Sequence, residues 1–346
     1  TMGTVSEPRL IQSYDGAVEA IQAEIDCSQA GDWVRLSVWI LEPGETSEAV
    51  LAGLQAAAER GAEVLVSVDG TNASLVQRLW ERTVTLLPRV RKIAAAVENF
   101  TCVERTKPDH SKYAIFRRKD GPTVAIWGGI NMGDRFRPWR DFVVRLEGAL
   151  GEEVAAKILG EGVPFVYPPK PDTLTLVASV PIADQFEILP AFEALMQDPE
   201  VTRLRFAMAY IDRTGIEKVL RLALERGVRV EFMLPKLANV YQDSNLMALE
   251  QLLPDENFHA VACPHMLHAK VALAYGADGL RTIFFGSANL KRYSLLYLGE
   301  LNAFVNHPAL AKTLEAAVNA LYEESEPITE APRYWRLKAV VEERLG

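Results

Sequence analysis

The chain has 346 residues, 49% of them apolar and 24% charged, with a net charge of -9. That balance suits a globular protein long enough for two domains, and it excludes a broad nucleic-acid-binding surface while leaving room for a local basic patch. Three cysteines without paired spacing, Cys27, Cys102 and Cys263, exclude a disulfide framework and a cysteine-rich zinc site.

Taken in chain order, the first elements are a strand at 34–40 (VRLSVWI), an amphipathic helix at 48–59 (EAVLAGLQAAAE) and a strand within 60–69 (RGAEVLVSVD). Strand, helix and strand in that order predict a parallel pair with the helix packed on it. The run HSKYAIF (110–116) then reads as a buried strand that opens on His110 and Lys112, two residues apart and so on one face. Asp120-Gly121 is a hairpin-type turn signal. It returns the chain through a second strand to Gly128, Gly129 and Asn131, near the end that carries His110, and Gly128 and Gly129, like Gly286 further on, would let backbone N–H groups approach a ligand closely. GDRFRPWR (133–140) follows, with Asp141 in the next strand-like segment.

At VYPPKPDT (166–173) three prolines in four positions predict a stiff, extended linker. The expected organisation is a first half over 1–167, a linker at 168–173 and a second half over 174–346. Beyond the linker the chain repeats itself. LRFAMAYI (204–211), EKVLRLALE (217–225) and RGVRVEFMLP (226–235) answer the first strand, helix and strand. His268, Lys270, Gly286 and Asn289 then lie 158 residues beyond His110, Lys112, Gly128 and Asn131. Asp278-Gly279 is the second turn signal, and Glu300 stands where the first half has Asp141.

His, Lys and Asn form a set suited to a phosphodiester. A neutral imidazole attacks phosphorus, a lysine supplies fixed positive charge, and an asparagine amide donates to non-bridging oxygens. Two copies meeting across a pseudo-twofold give the histidines different tasks, one as nucleophile and one as acid and base. Each needs a carboxylate on its other ring nitrogen, and Asp141 and Glu300 lie in segments from which a carboxylate can reach back across the sheet edge. No metal-ligand cluster is read from the chain, and no cofactor is expected. A lone His-x-Lys is common by chance; two copies in register, each followed by G-x-x-N and a carboxylate, are not.

These residues resemble the duplicated signature of the phospholipase D superfamily, H-x-K-x4-D followed by G-S-x-N or G-G-x-N. WGGINMGDRFRPWRDFVVRLEG (127–148) and RYWRLKAVVEERLG (333–346) are most similar to bacterial cardiolipin synthases. The resemblance implies an α/β fold of two pseudo-twofold-related halves, each with a mixed sheet flanked by helices, and one site at their interface. It assigns phosphate-facing roles to His110, Lys112, Asn131, His268, Lys270 and Asn289, with Asp141 and Glu300 supporting the histidines and His110 as nucleophile. Gly129 and Ser287 match its two glycine-step variants and are expected at the substrate. The motif aspartate is replaced by Arg117 and Tyr275.

Arg135, Arg137, Arg140, Lys291 and Arg292, interleaved with Phe136, Trp139, Tyr293 and Tyr297, read either as a rim for an anionic head group or as ordinary charged loops. Of these, Arg135, Arg140 and Arg292 are the expected substrate contacts. His265 reads as a loop histidine or a proton carrier behind His268, and His259 and His307 as surface loop residues. With neither a signal-peptide pattern nor an apolar run of spanning length, a cytoplasmic location is expected, with peripheral contact to an anionic membrane surface as an option. The function expected is a phosphatidyltransferase or phospholipase D acting on glycerophospholipids through phosphohistidine. The alternatives are a soluble phosphodiesterase or nuclease, and a degenerate binding module. The partner expected is a phospholipid or other phosphodiester substrate, with nucleic acid disfavoured by overall charge.

Overall fold

A computed structural model describes residues 7–70 and 85–345. The strands are β1 (Arg9–Ile11), β2 (Trp33–Val38), β3 (Glu63–Val68), β4 (Phe100–Cys102), β5 (Lys112–Arg117), β6 (Val124–Gly128) and β7 (Val143–Glu147), then β8 (Leu174–Val180), β9 (Gln185–Phe186), β10 (Arg203–Met208), β11 (Arg229–Pro235), β12 (Phe258–Cys263), β13 (Lys270–Gly276), β14 (Gly279–Gly286), β15 (Glu300–Val305) and β16 (Glu326–Ile328). One sheet runs β1-β7-β6-β5-β2-β3-β4 and the other β16-β12-β11-β10-β13-β14-β15-β8-β9. Without β1, β8, β9 and β16 the two orders are the same, so the duplication legible in the residues is a duplication of topology. Both sheets are mixed: β2 and β3 pair in parallel, as do β10 and β11, whereas β5–β6 and β13–β14 are antiparallel hairpins.

Both expected strand–helix–strand units form. Helix Glu45–Glu59 joins β2 to β3 and buries Val50, Leu51, Leu54, Ala57 and Ala58, the stripe a period of 3.6 residues puts on one face. Its counterpart between β10 and β11 contains a π turn at Ile216–Leu220. The turn signals act differently in the two halves. Asp278 belongs to a two-residue connection between β13 and β14, with Gly279 at φ +109°. Asp120-Gly121 lies in the longer connection 118–123, so it is a loop where a tight turn was expected.

Strand alternation explains why these segments read as unbroken apolar runs. Ala114, Phe116 and Ile126 face the helices of the first half, while Tyr113, Ile115 and Trp127 face the other way. The latter enter one continuous core with Val271, Leu273 and Phe285 of the second sheet, and the Trp127 and Phe285 rings lie 5.2 Å apart. Each central sheet is therefore covered on both faces. His259, expected in a loop, is an exposed residue of β12, and His307 caps helix Pro308–Glu323.

The halves also meet along their backbones at the site. Asp109 pairs with Gly299 and Arg140 with Leu267 in two isolated parallel bridges. The His110 N–H donates to Gly299 O (2.7 Å) and the His268 N–H to Arg140 O (2.8 Å). Each histidine is thus set in place by a loop of the opposite half.

Candidate active site

β5 and β13 begin at Lys112 and Lys270, so each histidine stands in the extended lead-in just before its strand. Lys112 pairs with Gly128 across β5–β6, which brings the Asn131 end of the returning strand beside His110. His110, Lys112, Asn131, Asp141, His268, Lys270, Asn289 and Glu300 are all buried. A charged set at that depth is costly unless its members answer one another.

They answer one another across the interface. His110 Nδ1 donates to Glu300, with Oε1 at 2.9 Å and Oε2 at 3.1 Å. His268 Nδ1 donates to Asp141 Oδ2 at 2.6 Å. The sequence names the two carboxylates without saying which serves which histidine; the partners are exchanged between the halves. The two bridges explain it, because each docks a histidine onto the loop that leads into the other half's carboxylate strand. With Nδ1 held as donor, Nε2 is left as the lone-pair nitrogen of each neutral ring.

Lys112 Nζ donates to His110 O at 2.6 Å. Lys270 Nζ donates to His268 O and stands 3.0 Å from His268 Nδ1. Burial and the neighbouring Lys270 ammonium push Lys112 down to about 7, and burial brings Lys270 to about 8 against the pull of Asp141 and Glu300. Burial, then the charge of Lys270, lowers His268 to about 3 despite Asp141. Burial also lowers His110, with Lys112 adding to it and Glu300 opposing. Burial alone would raise Glu300, but the His110 ring N–H, the Lys112 ammonium and the Ser287 hydroxyl hold it below the usual carboxylate range. The free site therefore has neutral imidazoles set among two lysines and two carboxylates, with each carboxylate held on a histidine Nδ1 and both lysines depressed by burial.

The glycine steps serve the scaffold. A Cβ at Gly128 would lie 2.2 Å from Phe142 O, and one at Gly286 would lie 2.3 Å from Leu301 O. These residues let the neighbouring strand approach, whereas an approach of their N–H groups to a ligand was expected. A Cβ at Gly129 would lie 2.3 Å from Asp141 Oδ1. Its counterpart Ser287 is fully buried, donating to Glu300 Oε2 at 2.5 Å. Gly129 and Ser287 thus stand behind the histidines, shaping the two carboxylates, and not at the substrate face where they were expected.

Asn131 Oδ1 accepts from the Ile40 N–H at 3.0 Å, which leaves its NH2 as the outward donor. Asn289 Oδ1 is buried without a partner. Trp39 packs on the His110 ring at 5.0 Å, and Trp139 on His268 at 5.1 Å. Sequence reasoning missed Trp39, Tyr210 (6.1 Å from His268) and Ser294, whose hydroxyl donates to Glu300 Oε1 at 2.5 Å. The matched strand ends VWI and AYI carry the signal for the first two; Ser294 has none.

Arg135 pairs with Glu42 and covers Phe136 and Trp139. Arg137 pairs with Asp15. Arg140 and Arg292 are exposed, and Arg292 meets the Tyr297 hydroxyl at 3.5 Å. Lys291 is buried against the Tyr241 ring, 3.0 Å from its centroid, and so is no part of an exposed rim. His265 contacts Glu324 at 3.3 Å. Arg117 and Tyr275 sit at the far ends of β5 and β13, where Arg117 lies over Trp33 (5.5 Å) and Arg203 over Tyr275 (4.0 Å). A cation–aromatic pair fills that place in both halves. Among the described residues no group of His, Cys, Asp and Glu is arranged to hold a metal ion, and no helix is long and apolar enough to cross a membrane.

Comparison with known proteins matches residues 194–322 to the family described as cardiolipin synthase, PLD-like domain. A search of curated protein sequences gave no match. Among solved structures, the phosphatidylserine synthase of Haemophilus influenzae Rd KW20 superposes with a TM-score of 0.66 at 14% identity, covering 95% of this chain and 89% of that one. The polyphosphate kinase of Porphyromonas gingivalis superposes with a TM-score of 0.60 at 15% identity, covering 98% of this chain and 52% of that one. The family match covers the stretch that holds His268, Lys270, Asn289 and Glu300, and the duplicated fold is shared with the phosphatidylserine synthase, in line with the motif resemblance.

Proposed function

We propose that the protein cleaves and transfers a phosphodiester through a phosphohistidine, acting as a phosphatidyltransferase or phospholipase D on glycerophospholipids. The observation that carries the reading is the pair of histidines held at Nδ1 by exchanged carboxylates, each beside a buried lysine. The family match over 194–322 and the fold shared with a phosphatidylserine synthase support the choice of substrate class.

The chemistry follows from the charges. A diester anion entering the site meets the ammonium groups of Lys112 and Lys270 on its non-bridging oxygens, with the Asn131 and Asn289 amides as further donors. Its negative charge offsets the lysines that depress His268, so that imidazole gains a proton as substrate binds. Nε2 of His110 attacks phosphorus. The N–P bond forms as the bond to the leaving oxygen breaks, and His268 protonates that oxygen. Glu300 steadies the positive charge that appears on the phosphorylated ring. An alcohol or water then gives its proton to His268 and attacks phosphorus, breaking the N–P bond and restoring His110. His110 takes the first role by the order usual in the family.

The test uses vesicles of phosphatidylglycerol and phosphatidylethanolamine, with and without ethanol, and mass spectrometry of the lipid products. Cardiolipin or phosphatidylethanol that disappears in His268→Ala is expected. Absence of any new phospholipid would overturn the lipid reading and send the search to nucleotides and small glycerophosphodiesters.

A further inference from the structure

The described residues expose few large apolar side chains. Three of the most exposed, Leu237 (75% exposed), Trp335 (79%) and Leu337 (80%), lie on two segments that are both tied to the first turn of helix Gln242–Leu252. Gln242 accepts from the Ala238 N–H at 2.7 Å, which fixes the loop bearing Leu237. Asp243 accepts from the Trp335 N–H at 2.8 Å and from Lys338 Nζ at 2.6 Å, which fixes the segment bearing Trp335 and Leu337. Isolated apolar side chains on a surface are ordinary; a tied group that includes a tryptophan is not.

The group is linked to the site by two aromatic contacts. The loop with Leu237 on its outside ends at Tyr241, whose ring packs on Tyr210 at 5.2 Å, and Tyr210 faces His268 at 6.1 Å. Tyr241 also carries Lys291, which leads directly into exposed Arg292 and Tyr297. Arg140, whose carbonyl positions His268, is exposed as well. Neither arginine makes an ion pair among the described residues. On the opposite flank, Pro181 accepts from Lys107 Nζ, three residues before His110, and the next side chain, Ile182, is 70% exposed. Exposed apolar side chains and unpaired cations thus stand on the segments that flank the two histidines.

We infer that these segments form a membrane-docking surface, with Leu237, Trp335 and Leu337 entering the interfacial layer of a phospholipid bilayer while Arg140 and Arg292 meet its anionic head groups. Apolar side chains gain free energy by leaving water, tryptophan suits the head-group boundary, and unpaired cations near an anionic surface add to the attraction. The substrate would then pass from the bilayer to the histidines without crossing bulk water. The inference rests on the lipid reading above.

The test is sedimentation of the full chain with phosphatidylglycerol–phosphatidylcholine vesicles, beside the triple variant Leu237→Ser, Trp335→Ala, Leu337→Ser. Wild type is expected in the pellet, with the variant's vesicle affinity lower by on the order of 10- to 100-fold. Turnover of soluble bis(p-nitrophenyl) phosphate should be unchanged in the variant, which checks its fold and site. Wild type left in the supernatant, or a variant that pellets equally, would overturn the surface. So would a wild-type dimer in sedimentation velocity that the variant abolishes, because the face would then belong to a second copy. Vesicle binding without lipid products leaves this surface standing and sinks the lipid chemistry; lipid turnover in detergent micelles without vesicle binding does the reverse.

Discussion

Replacing Lys112 by methionine removes one of two buried ammonium groups whose repulsion the free protein must tolerate. Lys112 is held near 7 and Lys270 near 8, against a normal lysine value of 10.5. From about pH 7 to 10.5 the unfolded chain therefore binds more protons at these sites than the folded one. Stability must rise with pH across that window, and the cost is full below it. From pH 7 to 9 the linkage amounts to about 2 kcal/mol for Lys112 and about 1 kcal/mol for Lys270. Lys291, also near 8, adds a gain of the same sign, while the raised thiols of Cys102 and Cys263 act the other way toward pH 9. Comparing wild type with Lys112→Met cancels these common contributions. The facing His110, His268 and Glu300 are all lowered, away from the window, and so keep their charges through it. Urea unfolding followed by tryptophan fluorescence at both pH values, at fixed ionic strength, measures the difference. Wild type should gain about 2 kcal/mol more than the variant between pH 7 and 9. Equal gains, or a wild type no more stable at pH 9, would refute the depression of Lys112 by burial beside Lys270.

Three further perturbations separate the parts of the site. Glu300→Gln keeps the shape but ends the charge support of His110, so kcat should fall about 10^2- to 10^4-fold with little change in KM, as steady-state kinetics on the active substrate would reveal. Gly129→Ala sets a methyl group where Asp141 now lies 2.3 Å from the glycine's ideal Cβ position. It should lower kcat roughly 10- to 100-fold while leaving the thermal unfolding midpoint within a few degrees; an unaltered kcat would mean that Asp141 has room to move. Tyr275→Phe and Arg117→Met alter the far ends of β13 and β5, and both should keep activity within about twofold of wild type in the same assay.

The residues told more about each local segment than about how the segments assemble. His110, Lys112 and Asn131 recur as His268, Lys270 and Asn289 because each triplet is short-range: a strand start, a hairpin and the strand that returns. Period-two alternation and turn residues govern such local geometry, and both are written in the chain. The exchange of carboxylates is different. Whether Asp141 meets His110 or His268 depends on how two sheets stack, and that is decided by Tyr113, Ile115 and Trp127 against Val271, Leu273 and Phe285. Those side chains look the same in sequence as the ones facing the helices, since both faces of each strand are apolar. The glycine steps misled for a related reason. Close approach was legible, but Gly128 and Gly286 accommodate the neighbouring strand, and only the sheet order names that neighbour.

That exchange has a consequence for how the halves depend on each other. Neither half holds a complete acid–histidine pair, and each histidine N–H is bonded to a loop of the other half. A shift of one sheet against the other would break both pairs at once and leave Glu300 and Asp141 buried without their partners, which is costly for a carboxylate out of water. The shared apolar core resists such a shift, because Trp127 and Phe285 interlock where the hairpins face each other. Packing and chemistry therefore reinforce each other. The core aligns the pairs, and the pairs penalise any stacking but the one in which each histidine meets the other half's carboxylate.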